Sequence, residues 1–230
     1  MANKTVYEYA YKGDFDFVRT KVEEDPLLIA KKDESQRILL HWASVGGNFK
    51  LVTYLVELGS QIDEFDDTEA TPLILASSAG HEEIVELLIK KGAKVNHKTN
   101  TGHSALQYAA SKGWTNICKI LLENDADINV TDLRGSTPLH RAASKGNIAI
   151  ISLFMEFKDK LQINARDIYG NSPLHLACEE DRQEEALLLI ENGADVNITN
   201  KERQTPLNYA SRVLFRLIQA KFEDKKEGEQ

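Results

Sequence analysis

One hexad, a Ser or Thr followed by Pro-Leu, two variable residues and Ala, returns along this chain at an almost constant interval, and that interval decides what every other position means. Thr71-Pro72-Leu73-Ile74-Leu75-Ala76, Ser104-Ala105-Leu106-Gln107-Tyr108-Ala109, Thr137-Pro138-Leu139-His140-Arg141-Ala142, Ser172-Pro173-Leu174-His175-Leu176-Ala177 and Thr205-Pro206-Leu207-Asn208-Tyr209-Ala210 are versions of it. Ile38-Leu39-Leu40-His41-Trp42-Ala43 is an earlier, looser copy. The central leucines stand at 40, 73, 106, 139, 174 and 207, so the steps are 33, 33, 33, 35 and 33. The long step is explained by an insertion within Phe157 to Gln162, in the loop after the second helix of that unit.

Each part of the hexad has a physical reason. A Ser or Thr hydroxyl accepts from an orphan backbone N–H at a helix start, and Pro just inside that start loses no helical hydrogen bond. The hexad therefore opens a short helix. Its Leu and Ala, with Ala110 and Ala143 following, make a narrow face that lets helices stack closely. Gly47, Gly80, Gly113 and Gly146 then end that helix, where a left-handed residue is cheap for glycine. An amphipathic run such as Glu83-Ile84-Val85-Glu86-Leu87-Leu88-Ile89 predicts the second helix of each pair. Gly59, Gly92 and Gly193 close it, Asp125 takes that place once, and Val95-Asn96, Ile128-Asn129, Ile163-Asn164 and Val196-Asn197 lead into polar turns.

This period and hexad resemble the ankyrin repeat family over residues 3–222. The resemblance implies an all-α solenoid of seven helix-turn-helix units with short hairpin-like turns, at about 3–36, 37–69, 70–102, 103–135, 136–169, 170–202 and 203–222. The first and last units are atypical, as water-exposed end caps should be. Residues 223–230 read as a disordered polar tail.

Composition narrows the function classes. With 42% hydrophobic and 28% charged residues the chain sits near a soluble globular average. Its longest uncharged apolar stretch, Ile148 to Met155, falls far short of the roughly 20 residues a membrane span needs. The opening Met1 to Ala10 lacks the apolar core of a signal peptide, so an intracellular place, cytoplasmic and nuclear, is expected. Cys118 and Cys178 are too few and too distant for a disulfide scaffold or a paired metal motif, and are expected to be reduced thiols. A net charge of −8 argues against nucleic acid as a partner.

No catalytic constellation emerges, and no cofactor is expected. Phosphate-loop, nucleophile-elbow and dinucleotide fingerprints are missing, and the glycines serve as helix caps. His41, His140 and His175 share one hexad position and are expected to hydrogen-bond within the repeats, while His81, His97 and His103 read as surface residues. Glu82-Glu83 and Glu184-Glu185 fall in the first turn of second helices, where negative charge suits the helix dipole.

In a stack of such units the turn tips and the exposed faces of the first helices share a concave recognition face. Candidate partner-binding residues are Asp33, Glu34, Arg37, Asp66 and Asp67 at the tips, Lys112, Arg141 and Lys145 on the first helices, and Trp42 and Trp114 as aromatic anchors. The charge is unevenly distributed: residues 1–69 hold 14 acids and 8 bases, 70–169 hold 10 and 12, and 170–230 hold 12 and 8. A partner with the inverse order of charge would be steered into register.

Within the family, the segments Gln36 to Ala43, Tyr108 to Lys112, His140 to Asn147 and Leu174 to Glu180 are similar to members that chaperone assembly of the 26S proteasome regulatory particle. That resemblance implies a non-enzymatic, monomeric scaffold that binds the C-terminal domain of a proteasomal ATPase subunit, with charge-paired contacts at Arg37, Asp67 and Lys112. The chain departs from the pattern at Ser35, where an acid is expected, and at Ala70, where tryptophan is expected. The rival implied by the same resemblance is a cell-cycle adaptor holding a cyclin-dependent kinase or the retinoblastoma protein. Leu176, Cys178 and Glu180 spell L-x-C-x-E, a retinoblastoma-binding motif, although their place in a hexad predicts a helix with Cys178 packed.

Overall fold

A computed structural model of the protein describes residues 5–228. Among them fourteen α-helices follow in pairs: α1 (Val6–Lys12) and α2 (Phe15–Glu24), α3 (Leu39–Val45) and α4 (Phe49–Glu57), α5 (Pro72–Ala79) and α6 (Glu82–Lys90), and α7 (Ala105–Lys112) and α8 (Thr115–Glu123). The remaining pairs are α9 (Pro138–Lys145) and α10 (Ile148–Met155), α11 (Pro173–Glu179) and α12 (Gln183–Glu191), and α13 (Pro206–Tyr209) and α14 (Arg212–Gly228). Seven pairs are what seven repeats require. Among the described residues the β-type pairing is one isolated bridge, Lys98 to Ser104.

The chain divides into two compact bodies, Met1–Ala109 with Asn116–Asp127 and Ala110–Thr115 with Ile128–Gln230. In the first, α1 packs on α3 and α3 on α5, while α4 packs on α6. In the second, α9 packs on α11 and α11 on α13, with α10 on α12. Both bodies thus use first helices in one row and second helices in another. The hexad leucines Leu40, Leu73, Leu106, Leu139 and Leu174 are at most 1% exposed, and the alanines Ala43, Ala76, Ala109, Ala142 and Ala177 are fully buried. Small residues at one position and branched ones at another let neighbouring helices approach without voids.

Successive repeats are also joined by polar side chains. At four joints the residue after the left-handed position that ends a first helix, Gly47, Gly80, Gly146 or Asp181, reaches back to the preceding repeat. Asn48 donates to the Ala10 carbonyl at 2.9 Å, the His81 ring to Val45 at 3.0 Å, Asn147 to Ala110 at 2.6 Å, and Arg182 to Ser144 at 3.4 Å. Each of those side chains lies over a glycine that has no side chain to obstruct it. A Cβ at Gly47 would lie 2.5 Å from the His81 ring, and φ there is +77°, so two independent reasons demand glycine.

One expectation needs correction. The segment from 223 that reads as a disordered tail is helical as far as Gly228, as the continuation of α14. Lys and Glu are strong helix formers, and residues 223–228 hold two of each, so propensity favours continuation of the helix. Residues 229 and 230, and Asn3 and Lys4 at the expected start of the first unit, lie outside the described residues.

Candidate partner-binding surface

Each turn tip is built around one short polar side chain. The Asp33 Oδ1 accepts the backbone N–H groups of Ser35 and Arg37, both at 2.9 Å. Asp66 does the same for Thr68 and Ala70, Asp132 for Arg134 and Ser136, Asp167 for Tyr169 and Asn171, and Asn200 for Glu202 and Gln204. An Asx side chain that satisfies the i+2 and i+4 donors fixes the tip conformation. The tips then pair with one another. Asp67 donates to the Ser35 carbonyl, Asn100 to Thr68, Ile168 to Arg134 and Lys201 to Tyr169.

This architecture changes the reading of several candidates. Asp66 is 2% exposed, and its second oxygen accepts Arg37 Nε at 2.9 Å from the preceding tip. Burial pushes its carboxyl up, but hydrogen bonds from Thr68, Ala70 and Arg37 outweigh that and hold it below the usual value. Asp33 gives its second oxygen to the Trp42 indole N–H at 2.7 Å. Arg141 bonds the carboxylate of the buried Asp132; burial pushes that carboxyl up, but Arg141 and the tip N–H groups outweigh it and hold it below the usual value. Asp33, Asp66 and Arg141 are expected to face a partner; Asp66 is buried and holds the fold together, while Asp33 and Arg141 make bonds within the fold and keep part of their surface exposed. The physical reason is that a carboxylate placed two residues before a turn N–H is captured by it, and its other oxygen then collects the nearest donor.

Arg37 and Trp42 belong to the same network. The Arg37 guanidinium lies 4.9 Å from the Trp42 ring centroid, and its side chain keeps 22% exposure. Trp42 is half-buried, with the edge of Tyr11 at 6.2 Å. Asp33, Arg37, Trp42 and Asp66 are therefore brought together in the first body, whereas Lys112, Arg141 and Lys145 lie in the second. Glu34, Asp67, Lys112, Trp114 and Lys145 are exposed, as a recognition surface requires. Lys112 and Lys145 sit in the last turns of α7 and α9, where positive charge also suits the helix dipole.

The hexad histidines serve the fold. The ring Nδ1 of His41 accepts the Ile38 N–H at 3.2 Å, so Nε2 carries the proton and donates to Ala70 at 3.2 Å in the next repeat. His140 accepts from Thr137 and donates to Asn171; His175 accepts from Ser172 and donates to Gln204. Burial lowers all three, His41 to about 4. Gln107 and Asn208 perform the accepting half of this role in repeats four and seven. Among the described residues no three His, Cys, Asp or Glu side chains converge as metal ligands. Likewise, no described helix is long and apolar enough to cross a membrane.

The L-x-C-x-E segment is helical. Leu176 is half-buried, Cys178 is 1% exposed and Glu180 is the exposed C-cap of α11. Burial pushes the thiols of both Cys118 and Cys178 up to about 12, so neither is a nucleophile near neutral pH.

Two features escape a reading of the sequence by charge. Leu133, Ile168 and Tyr169 are 72%, 45% and 56% exposed at tips that other repeats make polar. Apolar residues at an aligned tip position were the available signal. A cavity of about 540 Å³ also opens between α1 and the tip that carries Asp33. Only the fold brings those segments together.

Comparison with known proteins follows from this geometry. A family profile described as ankyrin repeats (3 copies) matches in overlapping stretches, residues 6–99, 40–132, 94–167, 126–200 and 160–216. The rat 26S proteasome non-ATPase regulatory subunit 10 is 41% identical over 72 residues, 31% of each chain. The human protein of that name is 39% identical over 72 residues, 31% of this chain and 32% of its own. The match thus spans about a third of those relatives. Arabidopsis thaliana serine/threonine-protein kinase VIK is 37% identical over 65 residues, 28% of this chain and 15% of the kinase. Among solved structures, the human ASB11 ankyrin repeat domain superposes with a TM-score of 0.81 at 23% identity, covering 91% of this chain and 93% of that one. The ankyrin repeat domain of Bcl-3 gives 0.79 at 22% identity, over 95% and 99%. At those identities the structures speak for the fold alone.

Proposed function

The chain belongs to the ankyrin repeat family, a family of protein-binding scaffolds, and on that premise we propose that it is a gankyrin-like assembly chaperone of the proteasome regulatory particle. In this reading it binds the C-terminal domain of one proteasomal ATPase subunit through its turn tips and the ends of its first helices. The observation that carries the proposal is the 72-residue similarity to the regulatory subunit of the 26S proteasome. It acts without catalysis or cofactor, as a monomer, in cytoplasm and nucleus. Its mechanism is occlusion: covering the ATPase tail domain blocks premature docking on the proteolytic core until the scaffold is released.

The exposed charges support this reading. Glu34 and Asp67 offer acid at the tips, and Lys112 and Lys145 offer base at helix ends. Arg37 can add its terminal nitrogens while Nε stays on Asp66. The cell-cycle alternative draws less support, because an extended L-x-C-x-E peptide would require α11 to unwind and Cys178 to leave the core.

The test is calorimetry against the isolated C-terminal domain of each proteasomal ATPase subunit, with kinase and retinoblastoma pocket domains as comparators. One ATPase domain should bind, and Asp67→Lys with Lys112→Glu should weaken it by roughly 2 to 5 kcal/mol while thermal stability holds. Binding to none of the ATPase domains overturns the proposal. Binding unaffected by the double substitution relocates the contact surface.

A further inference from the structure

Inside the first body, the cavity of about 540 Å³ beside α1 has an unusual lining. Three aromatic side chains reach it, Tyr7 and Tyr11 from α1 and Trp42 from α3, together with three carboxylates, Glu8, Asp33 and Glu34. Lys12 also lines the cavity, so one base stands against three acids. Aromatic faces carry negative potential, and carboxylates beside them add to it.

The geometry holds these groups in place. Tyr7 donates its hydroxyl to the Lys31 carbonyl at 3.0 Å, and Tyr11 meets Trp42 edge-on at 6.2 Å with planes 88° apart. Trp42 is locked by its 2.7 Å bond to Asp33. Glu8 closes the capping box of α1 by accepting the Thr5 N–H at 2.8 Å. Two rings at right angles, with a third nearby, form walls rather than a stack. Such walls suit a compact, roughly spherical cation better than a flat ring.

Two further observations indicate the sign of the guest. Trp42 already accepts the Arg37 guanidinium at 4.9 Å, so this indole works as a cation acceptor within the fold. The Tyr7 phenol is raised above its ordinary value, first by burial and then by the charge of Asp33, which places negative potential at that wall.

We propose that this cavity is an alkylammonium pocket that takes a lysine side chain, free or N-methylated, from a partner protein. The aromatic walls cover the four-carbon stem and its ammonium head, and Glu8, Asp33 and Glu34 supply the counter-charge. The inference does not rest on the proteasomal reading: any partner presenting such a lysine would engage the same pocket.

The experiment uses three small probes on the full chain: Nα-acetyl-lysine methylamide, its Nζ-trimethyl form and Nα-acetyl-norleucine methylamide. Binding is read from the NMR shift of the Trp42 indole N–H. Both cations should bind roughly tenfold or more tightly than the neutral norleucine probe. Glu34→Gln and Tyr11→Leu alter exposed side chains and should each weaken the cations several-fold, with folding verified by unchanged melting. Norleucine binding as well as lysine, no shift at Trp42 with any probe, or affinity untouched by both substitutions would each overturn the proposal.

Discussion

Counted with the helix pair that follows it, each turn tip belongs to the repeat it opens, and on that count the second and fifth repeats place an arginine against a tip aspartate by different routes. In the fifth, Arg141 stands nine positions after Asp132 and bonds it within one repeat. In the second, position nine after Asp33 is Trp42, which takes the Asp33 oxygen through its indole. Arg37 instead reaches forward to Asp66, whose own ninth position is Leu75 and offers no donor. The same tip geometry thus yields a bond inside a repeat at one place and a bond between repeats at another. What decides it is one side chain on the first helix.

The largest effect is expected where that bond crosses repeats. Asp66→Ala removes the acceptor for two backbone N–H groups and for Arg37, and should cost about 3 to 5 kcal/mol in urea unfolding. Hydrogen exchange should then speed up in both the second and third repeats. Asp132→Ala should speed exchange mainly in the fifth, and an equally wide spread there would break the contrast.

Acid should act next. His41 is lowered from 6.5 to about 4, so the unfolded chain binds a proton that the folded chain refuses. Its contribution is present above pH 6.5 and is lost as pH falls toward 4, up to about 3 kcal/mol. His140 and His175 act in the same direction. His41→Gln, which copies the acceptor Gln107 supplies in repeat four, should flatten part of that loss. A denaturation midpoint that falls equally with pH in wild type and variant would remove His41 as the cause.

Smaller still, Arg37→Met and Arg141→Met should cost about 1 to 3 kcal/mol each, since both side chains are partly exposed while their acids are buried. Only Arg37→Met should reduce the cooperativity of unfolding. A lower m-value in both variants would equate the two bonds.

The smallest effect lies in the tip backbone. Gln36 and Glu69 hold φ of +60° and +61°, and Arg203 +63°, at the tip position where other repeats use Gly102, Gly135 and Gly170. Changing Gln36 or Glu69 to Gly should stabilise by up to about 1 kcal/mol, as relief of left-handed strain exceeds the added chain entropy. A loss of melting temperature in both would show that side-chain contacts, not strain, govern those tips.

The two kinds of residue differ in how legible they were. Helix pairs follow from period, caps and glycines, because these are local rules repeated seven times. His41, His140 and His175 were placed as hydrogen-bonding residues by their shared hexad position alone. The duties of Asp33, Asp66 and Arg141 were not legible, since an exposed acid and an acid captured by turn N–H groups look identical in a string of letters. Cys178 was readable as packed because a helical hexad leaves it no other direction. Tyr7 and Tyr11 joined no pattern until the fold set α1 beside the next tip, where Glu34 was already legible as a tip acid.

The side chains that reach back over the helix-ending glycines are of three kinds: Asn48 over Gly13 and Asn147 over Gly113, His81 over Gly47, and Arg182 over Gly146. Each link is matched to its neighbour in size and donor geometry. The repeats are alike in outline, yet they are not interchangeable parts. A duplicated repeat spliced into a new place would arrive with a key cut for another lock wherever an asparagine joint met the place of the histidine or arginine one, so the order in which the repeats stand is itself part of what folds.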